Sequence, residues 1–196
     1  MKVPFLQREE IKRKADLFRE KFCDNKTPVD IEQILEIKLK IDIVLVPRLQ
    51  DFCDSDALIT SNWKNIYVDR DRYMNDRYRN RLRFSFAHEA GHYILHKDIY
   101  KKFNIKDIKD FYESLCNFPE KQYSYLESQA NKFANFLLIP RERLLIEIEN
   151  LLKNKVIPNN IERKTAIPYL AISIAKIFNV SEDAAEIALN DINNKF

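Results

Sequence analysis

The segment His88-Glu89-Ala90-Gly91-His92 constrains this chain more than any other part of its sequence. If it forms an α-helix, the two histidines lie four positions apart, on one face and about one turn from each other. Two imidazole nitrogens at that spacing can bind one zinc ion with little backbone strain. The glutamate beside the first histidine would then face the open side of the metal, where it could act as a general base. The segment therefore predicts a metal-binding helix of an enzyme.

Histidine and glycine are both unusually distributed in this chain of 196 residues. The three histidines, His88, His92 and His96, lie within nine residues, and the single glycine, Gly91, lies among them. Average usage would give about fourteen glycines in a chain of this length. A glycine inside a helix costs about 1 kcal/mol relative to alanine. We therefore expect a second helix to approach closely at Gly91.

A catalytic zinc ion needs a third protein ligand in addition to two histidines. His96 is unsuitable, because eight residues of helix would separate it from His88 by about 12 Å along the axis. We expect His96 to lie at the helix end, where a cation suits the helix dipole. The third ligand is then a carboxylate from another element, with Glu113, Glu120 and Glu127 as candidates.

Glu127 is favoured among the three by the residues that follow it. The positions i, i+3, i+4 and i+7 of a predicted helix are Glu127, Ala130, Asn131 and Ala134. These residues would form one stripe, with an acid above small side chains. If Gly91 packs against one of the two alanines, the second helix comes close enough for the carboxylate of Glu127 to reach the metal.

Hydrophobic spacing predicts helices on both sides of a small sheet. Apolar residues recur every three or four positions in the helical segments, whereas the strand segments are short and mostly β-branched. The predicted helices cover residues 7–22, 28–37, 76–97, 126–139, 141–154 and 165–190, and the predicted strands cover residues 41–46, 57–60 and 66–68. This order predicts an α+β fold that is mainly helical, with a small antiparallel β-sheet.

Composition excludes several other classes of protein. A chain that is 45% hydrophobic and 32% charged is typical of a folded soluble domain. No apolar run approaches the roughly 18 residues that cross a bilayer, and residues 1–14 lack the apolar centre of a signal peptide. The three cysteines, Cys23, Cys53 and Cys116, are too few and too scattered for a disulfide framework or a four-cysteine zinc site. We therefore expect a cytoplasmic protein without a membrane partner.

Two segments together resemble the ImmA/IrrE family of zinc-dependent metallopeptidases. The first is residues 83–92, RFSFAHEAGH, and the second is residues 127–134, ESQANKFA, followed by Leu137, Leu138, Ile139 and Pro140. The N-terminal helix, residues 28–31 and the hairpin also lie where the family has them. Ala90 departs from the family, which usually has leucine at this position, and the hairpin lacks the family's frequent glycine.

The resemblance implies a zincin-like fold and a set of functional residues. His88, His92 and Glu127 would hold one zinc ion per chain, and Glu89 would be the catalytic base. Residues 1–154 would form the metallopeptidase domain, and residues 155–196 a helical segment packed on it. Members of the family cleave or otherwise inactivate helix-turn-helix repressors of phage, mobile-element or stress-response genes, so the resemblance implies a repressor as the protein partner.

The C-terminal segment resembles half of a helix-turn-helix unit over residues 170–185, yet its charges do not suit DNA. Residues 181–191 contain four acidic side chains and neither lysine nor arginine, and Ala188 replaces an arginine that is common in the family. Such a helix would repel phosphates. We therefore expect a packing module, and direct binding to nucleic acid is not predicted.

The arginines between residues 70 and 83 allow two interpretations. They could steer an acidic substrate or nucleic acid, or they could form a solvated face partnered by Asp69, Asp71 and Asp76. The second interpretation is preferred, because the helix beyond Phe84 is apolar enough to be buried.

The leading functional hypothesis is a zinc endopeptidase that cleaves a helix-turn-helix repressor, with residues 66–68 as a sheet edge that holds the substrate extended. One alternative is a protein that inactivates a repressor by binding alone, such as a toxin–antitoxin component. Another is a DNA-binding regulator with a vestigial metal site.

Overall fold

Two long helices pack against each other at the centre of the molecule, and a small sheet and shorter helices surround them. The computed structural model describes residues 2–24, 26–154 and 163–192. The elements follow in this order: α1 (Arg8–Phe22), α2 (Ile31–Gln33) continued by a π-helical turn (Ile34–Lys38), β1 (Asp42–Val46), α3 (Leu49–Cys53), β2 (Ala57–Ile59), β3 (Asn65–Asp69), α4 (Arg70–Tyr73), a 3₁₀ turn (Asp76–Tyr78), α5 (Arg79–Leu95), α6 (Lys97–Phe103), α7 (Ile108–Asn117), α8 (Glu120–Leu138), α9 (Arg141–Lys153), α10 (Arg163–Phe178) and α11 (Glu182–Asn190).

The three described strands form a mixed sheet in the order β1-β3-β2. β2 and β3 form the predicted antiparallel hairpin, with Leu58 opposite Tyr67. β1 pairs with β3 in parallel, with Val44 opposite Tyr67. The prediction of an antiparallel sheet is therefore right for the hairpin and wrong for β1. The reason is the connection through α3, which carries the chain from β1 to the opposite edge of the sheet before the hairpin returns β3 to the centre.

This topology also corrects the expected role of residues 66–68. They belong to β3, which pairs with β1 on one side and β2 on the other. A central strand has no unpaired backbone groups to offer to an added strand. The prediction that residues 66–68 hold a substrate by strand addition is therefore wrong.

The N-terminal helix covers one side of the central pair. Ile11, Ala15 and Phe18 recur at helical spacing and are buried. The ring of Phe18 meets the ring of Phe133 edge to face, with centroids 5.9 Å apart. This apolar stripe packs α1 against α8, which is the helix that carries Glu127.

At Gly91 the backbones of α5 and α8 approach each other closely. A Cβ atom on Gly91 would lie 3.1 Å from the Cα and 3.2 Å from the carbonyl oxygen of Ala130, and 3.3 Å from the Cβ of Phe133. A larger side chain at this position would push the two helices apart. The predicted packing of Gly91 on the second helix is confirmed, with Ala130 as the partner.

The described part of the C-terminal segment packs on the rest of the chain through polar contacts as well as apolar ones. Asn135 Nδ2 donates a hydrogen bond to the carbonyl oxygen of Ala184 at 2.9 Å. A guanidinium nitrogen of Arg141 lies 2.7 Å from a carboxylate oxygen of Asp191. The boundary predicted after residue 154 adjoins residues 155–162, which are outside the described residues.

Within the described ranges, no helix combines the length and apolar character that crossing a membrane requires.

Candidate metal centre

α5 carries both histidines of the predicted motif and the glutamate between them. Residues from Phe86 to His92 lie in the part of α5 that faces α8 and β2, and most of them are buried. His92 is 2% exposed and Glu89 is 5% exposed. The helical register turns His88 and His92 to the same face, as the four-residue spacing predicts.

Glu127 on α8 completes a cluster of three potential ligands. His88 Nε2 lies 3.1 Å from Glu127 Oε2, and His92 Nε2 lies 3.5 Å from Glu127 Oε1. The two Nε2 atoms are 2.8 Å apart. Among the described residues these three side chains form a group that could hold a metal ion, with their ligand atoms all within 4.8 Å of one another.

The other two candidate carboxylates lie elsewhere. Glu113 is exposed on α7, where its carboxylate lies 3.7 Å from Lys109 Nζ. Glu120 is exposed in the first turn of α8. The close packing at Gly91 explains why Glu127 reaches the histidines, since it is three residues from Ala130 on the same helix.

The hydrogen bond made by His88 shows which of its ring nitrogens is available to bind a metal. His88 Nδ1 lies 2.8 Å from the side-chain oxygen of Asn131. An amide oxygen only accepts hydrogen bonds, so Nδ1 carries a proton, and in the neutral ring that a metal binds Nε2 is left with a lone pair for the cluster. Imidazole nitrogen and carboxylate oxygen are ligands that zinc and other divalent ions accept. The residues therefore fit a divalent metal ion.

Glu89 lies beside the cluster but is held by the sheet. Its Oε2 accepts a hydrogen bond from the backbone N–H of Ile59 on β2, at 2.8 Å. Burial raises the pKa of Glu89 to about 8, against the opposing effect of His88. A carboxylate that exchanges a proton near neutral pH, next to a metal position, is suited to general acid–base chemistry.

The charges of the two histidines differ without a metal. Burial acts to lower the pKa of His88, but its hydrogen bond to Glu127 and the charge of that carboxylate outweigh burial and raise the pKa to about 9. Burial lowers the pKa of His92 well below its ordinary value. In the metal-free cluster His88 therefore carries a second proton and is a cation paired with Glu127, while His92 stays neutral.

His96 lies at the end of α5 as predicted, but it is not the expected cation. It is 1% exposed, and burial lowers its pKa to about 4. Its ring nitrogens face His92 Nδ1 and Gln129 Oε1, each at 3.0 Å. The prediction of a charged helix-end histidine is wrong, because the ring is buried against Gln129 of α8, which in turn binds the backbone of Pro4 before α1.

Several residues around the cluster were not predicted from the sequence. The sequence places Asn131 in the stripe below Glu127 but does not indicate it as a partner of His88. Gln129 and the backbone of Ile59 carry no local signal, because both act through contacts distant in sequence. The ring of Tyr100 covers His92, with centroids 5.1 Å apart.

The arginines between residues 70 and 83 are partnered differently from the prediction. Arg70 pairs with Asp71 as expected, at 3.2 Å. Arg72 and Arg81, however, both pair with the buried carboxylate of Asp56. The segment is therefore anchored by an acid that precedes β2, a contact between elements that local sequence does not reveal.

The sequence also matches a known protein family. The family model of the IrrE N-terminal-like domain, which is peptidase family M78, matches residues 73–190. The chain belongs to this family. The matched range of this M78 family member includes α5 and α8, and with them all four predicted site residues. The predicted family and the mainly helical α+β fold class are confirmed, apart from the direction of β1.

A solved structure of a Mycobacterium tuberculosis transcriptional regulator is similar in fold, with a TM-score of 0.57 and 13% sequence identity. The match covers 90% of this chain and 45% of that chain, so the M78 chain spans less than half of that protein. At this identity the likeness shows the fold alone. No curated protein matches the chain.

Proposed function

We propose that this M78 family member is a zinc-dependent endopeptidase. One observation carries the proposal: two histidines from α5 and Glu127 from α8 converge, and the carboxylate of Glu89 is buried beside them. Membership of a metallopeptidase family supports the same activity. In this proposal His88, His92 and Glu127 hold one zinc ion, and Glu89 is the catalytic base.

The roles of the four side chains follow from their surroundings. When bound, zinc would act as a Lewis acid toward the scissile carbonyl and lower the pKa of water. Glu89 would accept a proton from the attacking water and pass it to the leaving amine, which requires a pKa near neutrality. The hydrogen bond from Ile59 fixes one carboxylate oxygen of Glu89, so the other oxygen is left for proton transfer.

The proposed substrate is a helix-turn-helix repressor in the cytoplasm. This substrate class comes from the resemblance to the ImmA/IrrE family. Direct binding to DNA is not part of the proposal, because α11 carries Glu182, Asp183 and Glu186 and no basic residue. The charge of that helix suits a protein partner better than a phosphate backbone.

Mapping of new protein N-termini in the host cell tests the substrate class across all cellular proteins at once, so no partner has to be chosen beforehand. Cells that express the wild-type chain are compared with cells that express Glu89→Gln at equal level. The proposal predicts a new internal N-terminus in a helix-turn-helix repressor with the wild type and none with the variant. New termini spread over many unrelated proteins, or identical termini in both strains, would contradict it.

A further inference from the structure

A chain of hydrogen bonds runs from the backbone before α1 to the ring of His92. Gln129 Nε2 donates to the carbonyl oxygen of Pro4 at 2.8 Å. Gln129 Oε1 lies 3.0 Å from His96 Nε2, and His96 Nδ1 lies 3.0 Å from His92 Nδ1. The three side chains are 5%, 1% and 2% exposed in that order, so the contacts lie inside the molecule.

Each hydrogen bond in this chain determines the direction of the next. The carbonyl oxygen of Pro4 only accepts, so the amide nitrogen of Gln129 faces it and the amide oxygen faces His96. That oxygen also only accepts, so His96 carries its proton on Nε2. A buried imidazole whose hydrogen-bond partners are an amide and another imidazole is neutral, because an unpaired buried cation is costly.

The neutral ring of His96 then determines the tautomer of His92. With one proton on Nε2, His96 has only a lone pair on Nδ1. His92 must therefore donate from its own Nδ1, and its Nε2 presents a lone pair to the cluster. A metal binds histidine through such a lone pair, and a proton at the same atom would exclude it.

We propose that His96 and Gln129 are positioning residues that hold His92 in the tautomer required for metal binding. The inference rests on the proposed zinc site and extends it. In this arrangement α8 supplies an amide oxygen for each histidine ligand, directly from the exposed Asn131 to His88 and, through His96, from the buried Gln129 to His92. If the amide oxygen of Gln129 is removed, both tautomers of the His96–His92 pair become accessible.

Gln122 offers a matched control on the same helix. Its Oε1 accepts a hydrogen bond from the backbone N–H of Val3 at 2.6 Å. Gln122 and Gln129 therefore both tie the extended segment before α1 to α8, but the described contacts of Gln122 do not include His96. Methionine is close to glutamine in shape and lacks the amide oxygen, so Gln129→Met and Gln122→Met form a pair.

Zinc affinity and histidine tautomers are measured for these variants of the full chain. Competition with a chelator should show zinc binding weakened about 10–100-fold in Gln129→Met, as for other outer-shell partners of metal ligands, and nearly unchanged in Gln122→Met. Nitrogen-15 spectra of the metal-free wild type should show His92 protonated on Nδ1 and His96 on Nε2. In Gln129→Met the second tautomer of each ring should appear.

A second pair covers the case that Gln129→Met does not fold. His96→Asn can place an amide oxygen near the position of Nδ1 and should retain most of the zinc affinity, whereas His96→Leu offers no acceptor and should lose it. A merely structural role would weaken both alike. The inference would be overturned if Gln129→Met or His96→Leu bound zinc with wild-type affinity. It would also be overturned if His92 of the metal-free wild type were protonated on Nε2. A wild type that binds no zinc would instead refute the proposed function, and the tautomers would still test the inference.

Discussion

The Cα atom of Ala130 lies 3.1 Å from the position that a Cβ atom on Gly91 would occupy. This contact brings α8 against α5 three residues beyond Glu127, and it is the reason that a carboxylate from one helix meets two histidines from the other. The only glycine of the chain is therefore placed where the proposed metal site depends on backbone packing.

Replacement of Gly91 should disturb stability and metal binding together. Gly91→Leu should lower the free energy of unfolding by about 1–3 kcal/mol, because a side chain at this contact separates the helices. Zinc content should fall as well, since Glu127 moves with α8. Thermal unfolding and elemental analysis check both effects, with Gly91→Ala as the smaller change. A Gly91→Leu protein with a raised melting temperature and full zinc content would refute the role of this contact.

Removal of any one of the three proposed ligands should release zinc. His88→Ala, His92→Ala and Glu127→Ala each leave two ligands, which are too few to retain the ion against a chelator. Elemental analysis after dialysis should give about one zinc per wild-type chain and much less in the variants. Glu113→Ala and Glu120→Ala are the controls and should keep zinc. Loss of zinc in a control with retention in Glu127→Ala would show that the third ligand is misassigned.

The histidine motif and its partner helix were predictable because their signals are local. The spacing of His88 and His92 specifies one face of a helix, and the small residues after Glu127 mark a helix that approaches closely. The buried state of His96 was not predictable, since it depends on Gln129 and on Pro4, which is 125 positions away from Gln129. Contacts of this range leave no periodic trace in the sequence.

The same limit explains the two errors about the sheet and the arginines. Strand composition predicted β1, β2 and β3, but the crossing through α3 decides that β1 is parallel to β3. Likewise, charge spacing suggested acids near the arginines in sequence, whereas Asp56 is brought to Arg72 and Arg81 by the packing of the sheet on α5.

The paired arginines lead to a prediction about stability. Asp56→Ala should lower the free energy of unfolding by about 2–3 kcal/mol, because a buried carboxylate with two charged donors is lost. Asp71→Ala is the control, since its pair with Arg70 is exposed and should contribute less than about 1 kcal/mol. Chemical denaturation measures both. Equal stability of the two variants would favour the interpretation of these arginines as a free surface for a partner.

The metal-free protein should lose stability between pH 7 and pH 9. His88 and Glu89 both have a raised pKa in the folded state, about 9 and about 8, so the folded chain binds more protons than the unfolded chain in this window. Stability therefore falls as pH rises. His92 and His96 do not contribute there, because their pKa values are lowered and both rings are already neutral.

Thermal unfolding of the metal-free chain at several pH values measures this loss. Glu89→Gln keeps an acceptor for the N–H of Ile59 but removes one titrating group, so its stability should depend less on pH. A metal-free wild type whose stability rises from pH 7 to pH 9 would contradict the assigned charges. Zinc affinity should change in the opposite direction, because the ion must displace the proton on His88.

The most direct test of the peptidase proposal is the intact mass of a purified repressor, chosen by the N-terminus mapping, after incubation with the zinc-loaded chain. Peptidase activity at this site predicts two fragments from one cleavage, none in the presence of a chelator, and at least about 10²-fold slower cleavage by Glu89→Gln, as for removal of a general base. The variant should remain folded and retain zinc. An uncleaved repressor that is nevertheless inactivated by both wild type and Glu89→Gln would contradict the peptidase account and establish inactivation by binding.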